Sequence, residues 1–120
     1  MFSLKGLTPD VRELGECAFK IAHCYGLKPV VTSTFRGWAE QLKLRQKWES
    51  GLSKFPANRP GDSAHNYGLA FDSWVPDEEM GLWVAIRRSV GLRVPDGDLI
   101  HAERPEWRSS ISSNFAGSNF

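Results

Sequence analysis

The sequence predicts an α+β domain in which helices cover one face of a small antiparallel sheet. Three observations point there. Two segments carry the 3.6-residue apolar period of helices, and a third helix fits between Arg36 and Gly51; each of the three is closed by a glycine (Gly26, Gly51, Gly91). Three runs, 29–35, 69–75 and 99–103, have the length of strands, and the first is rich in Val and Thr. Finally, 120 residues suit one domain with one modest core.

Along the chain, Val11, Leu14, Ala18, Ile21, Ala22 and Tyr25 mark one face of a first helix over about 9–25. Thr8, Pro9 and Asp10 supply its N-cap, first-turn proline and first-turn acid. The strand at 29–35 delivers Arg36 at its end, and the second helix covers about 38–50. Residues 52–64 hold two prolines and a glycine without periodicity, which reads as a long surface loop of the kind that often carries function. The strand at 69–75 precedes a third helix that begins at Pro76-Asp77-Glu78 and carries Leu82, Trp83, Ile86 and Val90. The third strand follows. Beyond Trp107, residues of about 108–120 are rich in Ser, Gly and Asn and have little to bury, so a loose tail is expected on a single domain spanning 1–120.

Composition excludes several classes. Lys and Arg number 15 against 14 Asp and Glu, with no basic cluster dense enough to track a phosphate backbone, so nucleic acid is not an expected partner. Apolar runs fall far short of the roughly 20 residues of a membrane span. Met1–Asp10 lacks the charged start and apolar centre of a signal peptide. The expectation is a monomer, made soluble in the cytoplasm, without membrane insertion. Cys17 and Cys24 lie seven apart on one helix, roughly 10 Å along its axis, too far for a disulfide, and are expected to be buried core thiols. The five tryptophans (38, 48, 74, 83 and 107) read as core and rim residues, and His23 as an ordinary structural histidine.

The chemistry concentrates in Ser63-Ala64-His65-Asn66-Tyr67-Gly68-Leu69-Ala70-Phe71-Asp72. A loop histidine is followed, seven residues on, by a strand aspartate, and Gly68 permits the tight turn between them. Alternation along the strand puts small Ala70 on the face of Asp72 and sends Leu69 and Phe71 to the core. Such a strand can wall a metal site. A catalytic zinc needs three protein ligands and an open position, and His101 is the third candidate, on a strand whose other face offers Ile100 and Ala102. Asp98 is a candidate general base, provided that the chain turns at Gly97-Asp98; Glu103, on the face of His101, is a runner-up base or a partner that orients a ligand. Arg36 can stabilise an oxyanion or clamp a substrate carboxylate, and Lys54 and Arg59 are weaker candidates for meeting an acidic substrate.

The pattern S-x-H-x-x-G-x-A-x-D at Ser63 to Asp72, followed by D-x-x-H at Asp98 and His101, resembles the zinc D-alanyl-D-alanine carboxypeptidases and the related phage endolysin L-alanyl-D-glutamate peptidases, the LAS-type metallopeptidases. The likeness extends from Thr32-Ser33-Thr34-Phe35-Arg36 through Gln41 to His101-Ala102-Glu103. It implies one zinc ion on His65, Asp72 and His101, Asp98 as base, and Arg36 and Ser63 toward the substrate, a peptidoglycan stem peptide; Glu103 is a further candidate for substrate binding. Aspartate at 98, where the carboxypeptidases carry glutamate, leans toward the endolysin branch and cleavage of the L-alanyl-D-glutamate bond. Phe35 and Ala102 depart from that pattern, which usually has tyrosine before the arginine and an aromatic after the final histidine. The endolysin likeness also implies action on the cell wall after release by a membrane pore or from a virion. Competing readings are a D-alanyl-D-alanine carboxypeptidase and a zinc-stabilised binding module without turnover, to which neither Asp98 nor Arg36 would be needed.

Overall fold

The computed structural model describes residues 3–111. Helix α1 spans Pro9–Cys24, strand β1 Val30–Ser33, helix α2 Trp38–Glu49, strand β2 Ala70–Trp74, helix α3 Asp77–Ser89 and strand β3 His101–Glu103. A single 3-10 turn, Ala64–Tyr67, precedes β2, and residues 107–111 are helical. The α+β expectation holds, with every element within a few residues of its expected place.

The three strands form one antiparallel sheet in the order β1-β2-β3. Between β1 and β2 the register slips by one residue, from Val31 opposite Ser73 to Ser33 opposite Asp72. On the other side Asp72 faces His101. Asp72 therefore occupies the middle of a rung that runs from Ser33 to His101.

Helices α1 and α3 cover the face from which Phe71 and Ser73 project. Phe19 meets Phe71 at 6.2 Å and Trp83 edge-on at 5.1 Å, and Trp83 Nε1 donates to Ser73 Oγ at 2.9 Å. Each of these residues is fully buried, an arrangement in which every aromatic adds roughly 1.5–3 kcal/mol of burial. Charges at the ends of α3 agree with its dipole, with Asp77, Glu78 and Glu79 in the first turn and Arg87 and Arg88 in the last.

Helix α2 departs from this scheme. Its only buried residue is Gln41, so it adds almost nothing to the core, and it stands as a wall over the other side of the sheet. Further differences have local causes. Cys17 and Cys24 are exposed rather than buried, because the inward face of α1 is taken by Val11, Gly15, Ala18, Phe19 and Ala22. Both thiols are free. Thr8 holds the N-cap position without bonding a backbone N–H of the helix; its hydroxyl donates instead to the Asp10 carboxylate. Leu82 and Ile100 stay 42% and 39% exposed. Ile100 precedes β3 instead of lying within it, and its side chain faces a cleft. Trp38, Trp48 and Trp74 are exposed, leaving Trp83 and Trp107 as the buried tryptophans. The expected loose tail is only partly visible: residues 108–111 continue the helical segment begun at the buried Trp107, and 112–120 lie outside the described residues.

Gly68 closes the 3-10 turn in the left-handed region at φ 69°. A side chain there would also stand 2.7 Å from the Gly6 carbonyl oxygen, in the segment whose Thr8 N–H donates to Gly68 O at 2.9 Å. Both constraints require glycine. Gly68→Ala is expected to lower Tm by at least about 4 °C, from a cost of 1 kcal/mol or more; thermal unfolding followed by circular dichroism measures it, and an unchanged midpoint would contradict this geometry.

Candidate metal centre

His65 is set by the turn that carries it. Ser63, its N-cap, accepts the His65 backbone N–H on Oγ at 3.3 Å, and Gly68 ends the turn. The imidazole is almost wholly buried, and its Nδ1 lies 2.7 Å from the carbonyl oxygen of Thr34. A carbonyl only accepts, so Nδ1 carries the proton and Nε2 presents a lone pair. That Nε2 lies 3.2 Å from Asp72 Oδ1.

His101 is oriented the other way round. Its Nε2 donates to Glu103 Oε1 at 2.7 Å, while Glu103 Oε2 accepts from Arg93 at 3.0 Å. Its Nδ1 therefore faces Asp72 Oδ1, 3.1 Å away. One ligand atom from each of His65, Asp72 and His101 lies within 4.8 Å of the others, and the two rings stand 5.1 Å apart at 63°.

This donor set fits zinc. Ligands about 2 Å from a tetrahedral ion stand roughly 3.3 Å from one another, close to the two separations from Asp72 Oδ1. With both outer nitrogens engaged, two lone pairs and a carboxylate oxygen converge on one point, which only a cation can reconcile. Without a metal, a proton fills that place. Burial opposes charge on His101, but its bonds to Asp72 and Glu103 outweigh burial and push its pKa up to about 9. Burial likewise favours a protonated Asp72, yet His101 and His65 hold the carboxyl well below the usual range. Glu103 is lowered as well, its burial outweighed by His101 and Arg93.

The group opens into a cleft of about 730 Å3, walled by α2, the loop after it and the turn before β3. Arg36, Ser63 and Asp98 all line this cleft with the three ligands. Arg36 donates to Gln41 Oε1 at 3.0 Å and Ser33 Oγ at 3.2 Å, and its guanidinium lies 3.9 Å from Asp72 Oδ2. The turn that the Asp98 assignment requires is present: Asp98 N–H donates to Pro95 O, and Asp98 O accepts from His101 N–H, both at 3.1 Å. Asp98 keeps an exposed edge, yet partial burial still raises its carboxyl, with the Asp72 charge adding to the rise and His101 opposing it. Glu103 does not line the cleft. Both of its oxygens are engaged, so it orients His101. Lys54 and Arg59 are not on the cleft wall either.

Arg87 was not anticipated. Fully buried on α3, it donates to the carbonyl oxygens of Leu99 and Ile100 at 2.5 and 3.2 Å, and to Trp83 O at 3.3 Å. It thereby anchors the segment that presents Asp98 and His101. Burial lowers its pKa to about 10, which leaves it charged at neutral pH. The signal in the sequence is its position, four residues after Trp83 on the inward side of α3, where a charge requires a structural reason.

No protein-family model matches the chain, and no curated protein matches it. Among solved structures it is similar to a mutant of the vancomycin resistance D,D-pentapeptidase VanY in complex with Zn(II), with TM-score 0.68 and 17% identity over 82% of this chain and 72% of that one. It is similar to the L,D-carboxypeptidase DacB from Streptococcus pneumoniae, with TM-score 0.64 and 19% identity over 97% and 74% of the two chains. A third likeness is to the Serratia marcescens L-Ala D-Glu endopeptidase ChiX, with TM-score 0.62 and 17% identity over 84% and 82%. The chain shares their fold.

Replacing His65, Asp72 or His101 by Ala is expected to abolish zinc binding measured by calorimetry. Glu103→Gln should weaken it by roughly tenfold to a hundredfold; an unaltered affinity would remove Glu103 from the orientation of His101. Arg87→Met takes the side-chain donor from Leu99 O and leaves Ile100 O with the Ser73 N–H, and is expected to cost on the order of 2 kcal/mol in urea unfolding; a cost under about 0.5 kcal/mol would show that the segment holds itself.

Proposed function

We propose that this protein is a zinc-dependent peptidase that hydrolyses a peptide bond in peptidoglycan stem peptides, and that the bond is L-alanyl-D-glutamate. The observation that carries this reading is the convergence of His65 Nε2 and His101 Nδ1 on Asp72 Oδ1, in a cleft that Asp98 and Arg36 also line. Zinc held by His65, Asp72 and His101 would supply Lewis acidity, lowering the pKa of water to near 7. Asp98 takes the proton from the attacking water and returns it to the leaving amine, so that the broken C–N bond gains O–H at carbon and a hydrogen at nitrogen. Its raised carboxyl suits a group that must both accept and release that proton. Arg36, fixed by Gln41 and Ser33, supplies positive charge to the carbonyl oxygen as it becomes anionic.

Support for peptidoglycan comes from the shared fold, since it is also that of LdcB, an LD-carboxypeptidase whose structure shows peptidoglycan recognition (TM-score 0.66, 19% identity), alongside the peptidases VanY, DacB and ChiX. Support for the L-alanyl-D-glutamate bond comes from aspartate at position 98 and from a cleft with room for several residues. The same reading makes the protein a phage endolysin, acting on the wall after release through a membrane pore or from a virion; that setting rests on the D-x-x-H resemblance.

Mass spectrometry of muropeptides digested by the zinc-loaded protein tests the proposal. New amino-terminal D-glutamyl fragments are expected. Loss of terminal D-alanine alone would instead identify a carboxypeptidase, and intact muropeptides would identify a binding module. Asp98→Ala is expected to bind zinc as the parent does while losing at least a hundredfold in kcat; full activity would overturn its role as base.

A further inference from the structure

The residues of α2 that line the cleft are Gln41, Leu44, Arg45 and Trp48, spaced as one helical face. In most helices of a small domain that face would be apolar and buried. Here it carries a guanidinium held against the cleft wall. Arg45 is 22% exposed in its side chain and lies over the Trp48 ring at 4.8 Å. Its NH1 donates to Ala57 O at 3.2 Å, which fixes the guanidinium against the loop that forms the facing wall. Its Nε is out of solvent and makes no hydrogen bond, even though Glu49 Oε1 approaches to 3.1 Å. Glu49 is itself mostly exposed and lies outside the cleft, a surface pair of the kind that water screens.

Among the described residues that line the cleft, the fixed charges are Arg36, Arg45, Asp72 and Asp98. Asp72 and Asp98 stand with the two histidines, and Arg36 is balanced by Asp72 at 3.9 Å. Arg45 has no carboxylate within the cleft. It follows Gln41, the partner of Arg36, by one helical turn, roughly 6 Å along α2. An extended peptide advances about 3.3 Å per residue, so an anion at Arg45 sits one or two residues from a group held beside Arg36.

We propose that Arg45 binds a free carboxylate of the substrate and makes the protein selective for peptides with an acidic residue next to the scissile bond. This rests on the peptidase reading and narrows its substrate class. A dicarboxylic residue such as D-glutamate keeps one carboxylate free however its other carboxyl is linked, which gives Arg45 a partner that a neutral stem residue lacks. The planar fork of arginine donates two parallel hydrogen bonds to such a carboxylate.

The test compares two peptides that differ only in whether that group is a carboxylate or a carboxamide. Binding is measured by calorimetry to the zinc-loaded full chain, using analogues whose scissile amide is replaced by a methylene-amine link, and hydrolysis is measured on the natural peptides. The parent protein should bind the acid roughly tenfold to a hundredfold more tightly than the amide. Arg45→Gln should bring that ratio close to one, and Arg45→Lys, which keeps the charge and loses the fork, should leave it in between. Equal binding of the two peptides by the parent protein, or an unchanged ratio in both variants, overturns the proposal. A ratio that depends on Arg45 in a protein that cuts neither natural peptide supports the carboxylate site and overturns the peptidase reading.

Discussion

Asp72 is the group on which the rest of the site depends. It sits on the middle strand, in a rung between Ser33 and His101, and a single oxygen receives the lone-pair side of two imidazoles. Each imidazole is aimed there by what its other nitrogen touches: the Thr34 carbonyl for His65 and the Glu103 carboxylate for His101. The metal pocket is thus a property of the sheet register. Were β1 to keep its register past Val31, Ser33 would not stand opposite Asp72, and the Arg36 beyond it would be placed differently.

A second dependence runs through the buried face. Strand β3 is only three residues long, and backbone bonding from β2 reaches its approach segment where Ser73 N–H donates to Ile100 O at 2.9 Å. Arg87 adds a further constraint by bonding the carbonyls of Leu99 and Ile100 from below, while Arg93 pairs with Glu103 both through the backbone and through its side chain. The side of the sheet that carries His65, Asp72 and His101 is polar and opens into the cleft, so its geometry is held from the apolar side. This division explains why α1 and α3 build the core whereas α2 buries little and shapes the cleft.

How much of this was legible in the sequence follows from how local each signal is. His65, Gly68, Ala70 and Asp72 were readable together because one turn and one strand place them, and strand alternation decides which side each faces. His101 was readable from its place on the strand at 99–103, whereas Asp98 required a turn at Gly97-Asp98, which the Pro95-Asp96-Gly97 run favours and the structure contains. Glu103 was left between two roles, because the sequence could not say that Arg93, ten residues earlier, would claim its second oxygen. Arg87 and the Thr34 carbonyl were invisible, since both act through contacts formed only when separate elements meet. The cysteines went wrong for a related reason: apolar composition on α1 did not reveal that the interior had already been filled by other side chains.

The central claim, an ion held by His65, Asp72 and His101, is tested most directly by X-ray absorption at the zinc edge of the loaded protein. The account predicts two imidazole nitrogens and oxygen scatterers at about 2.0–2.2 Å, with no heavier neighbour. A sulfur shell at about 2.3 Å would place the metal on the exposed Cys17 or Cys24 and contradict it.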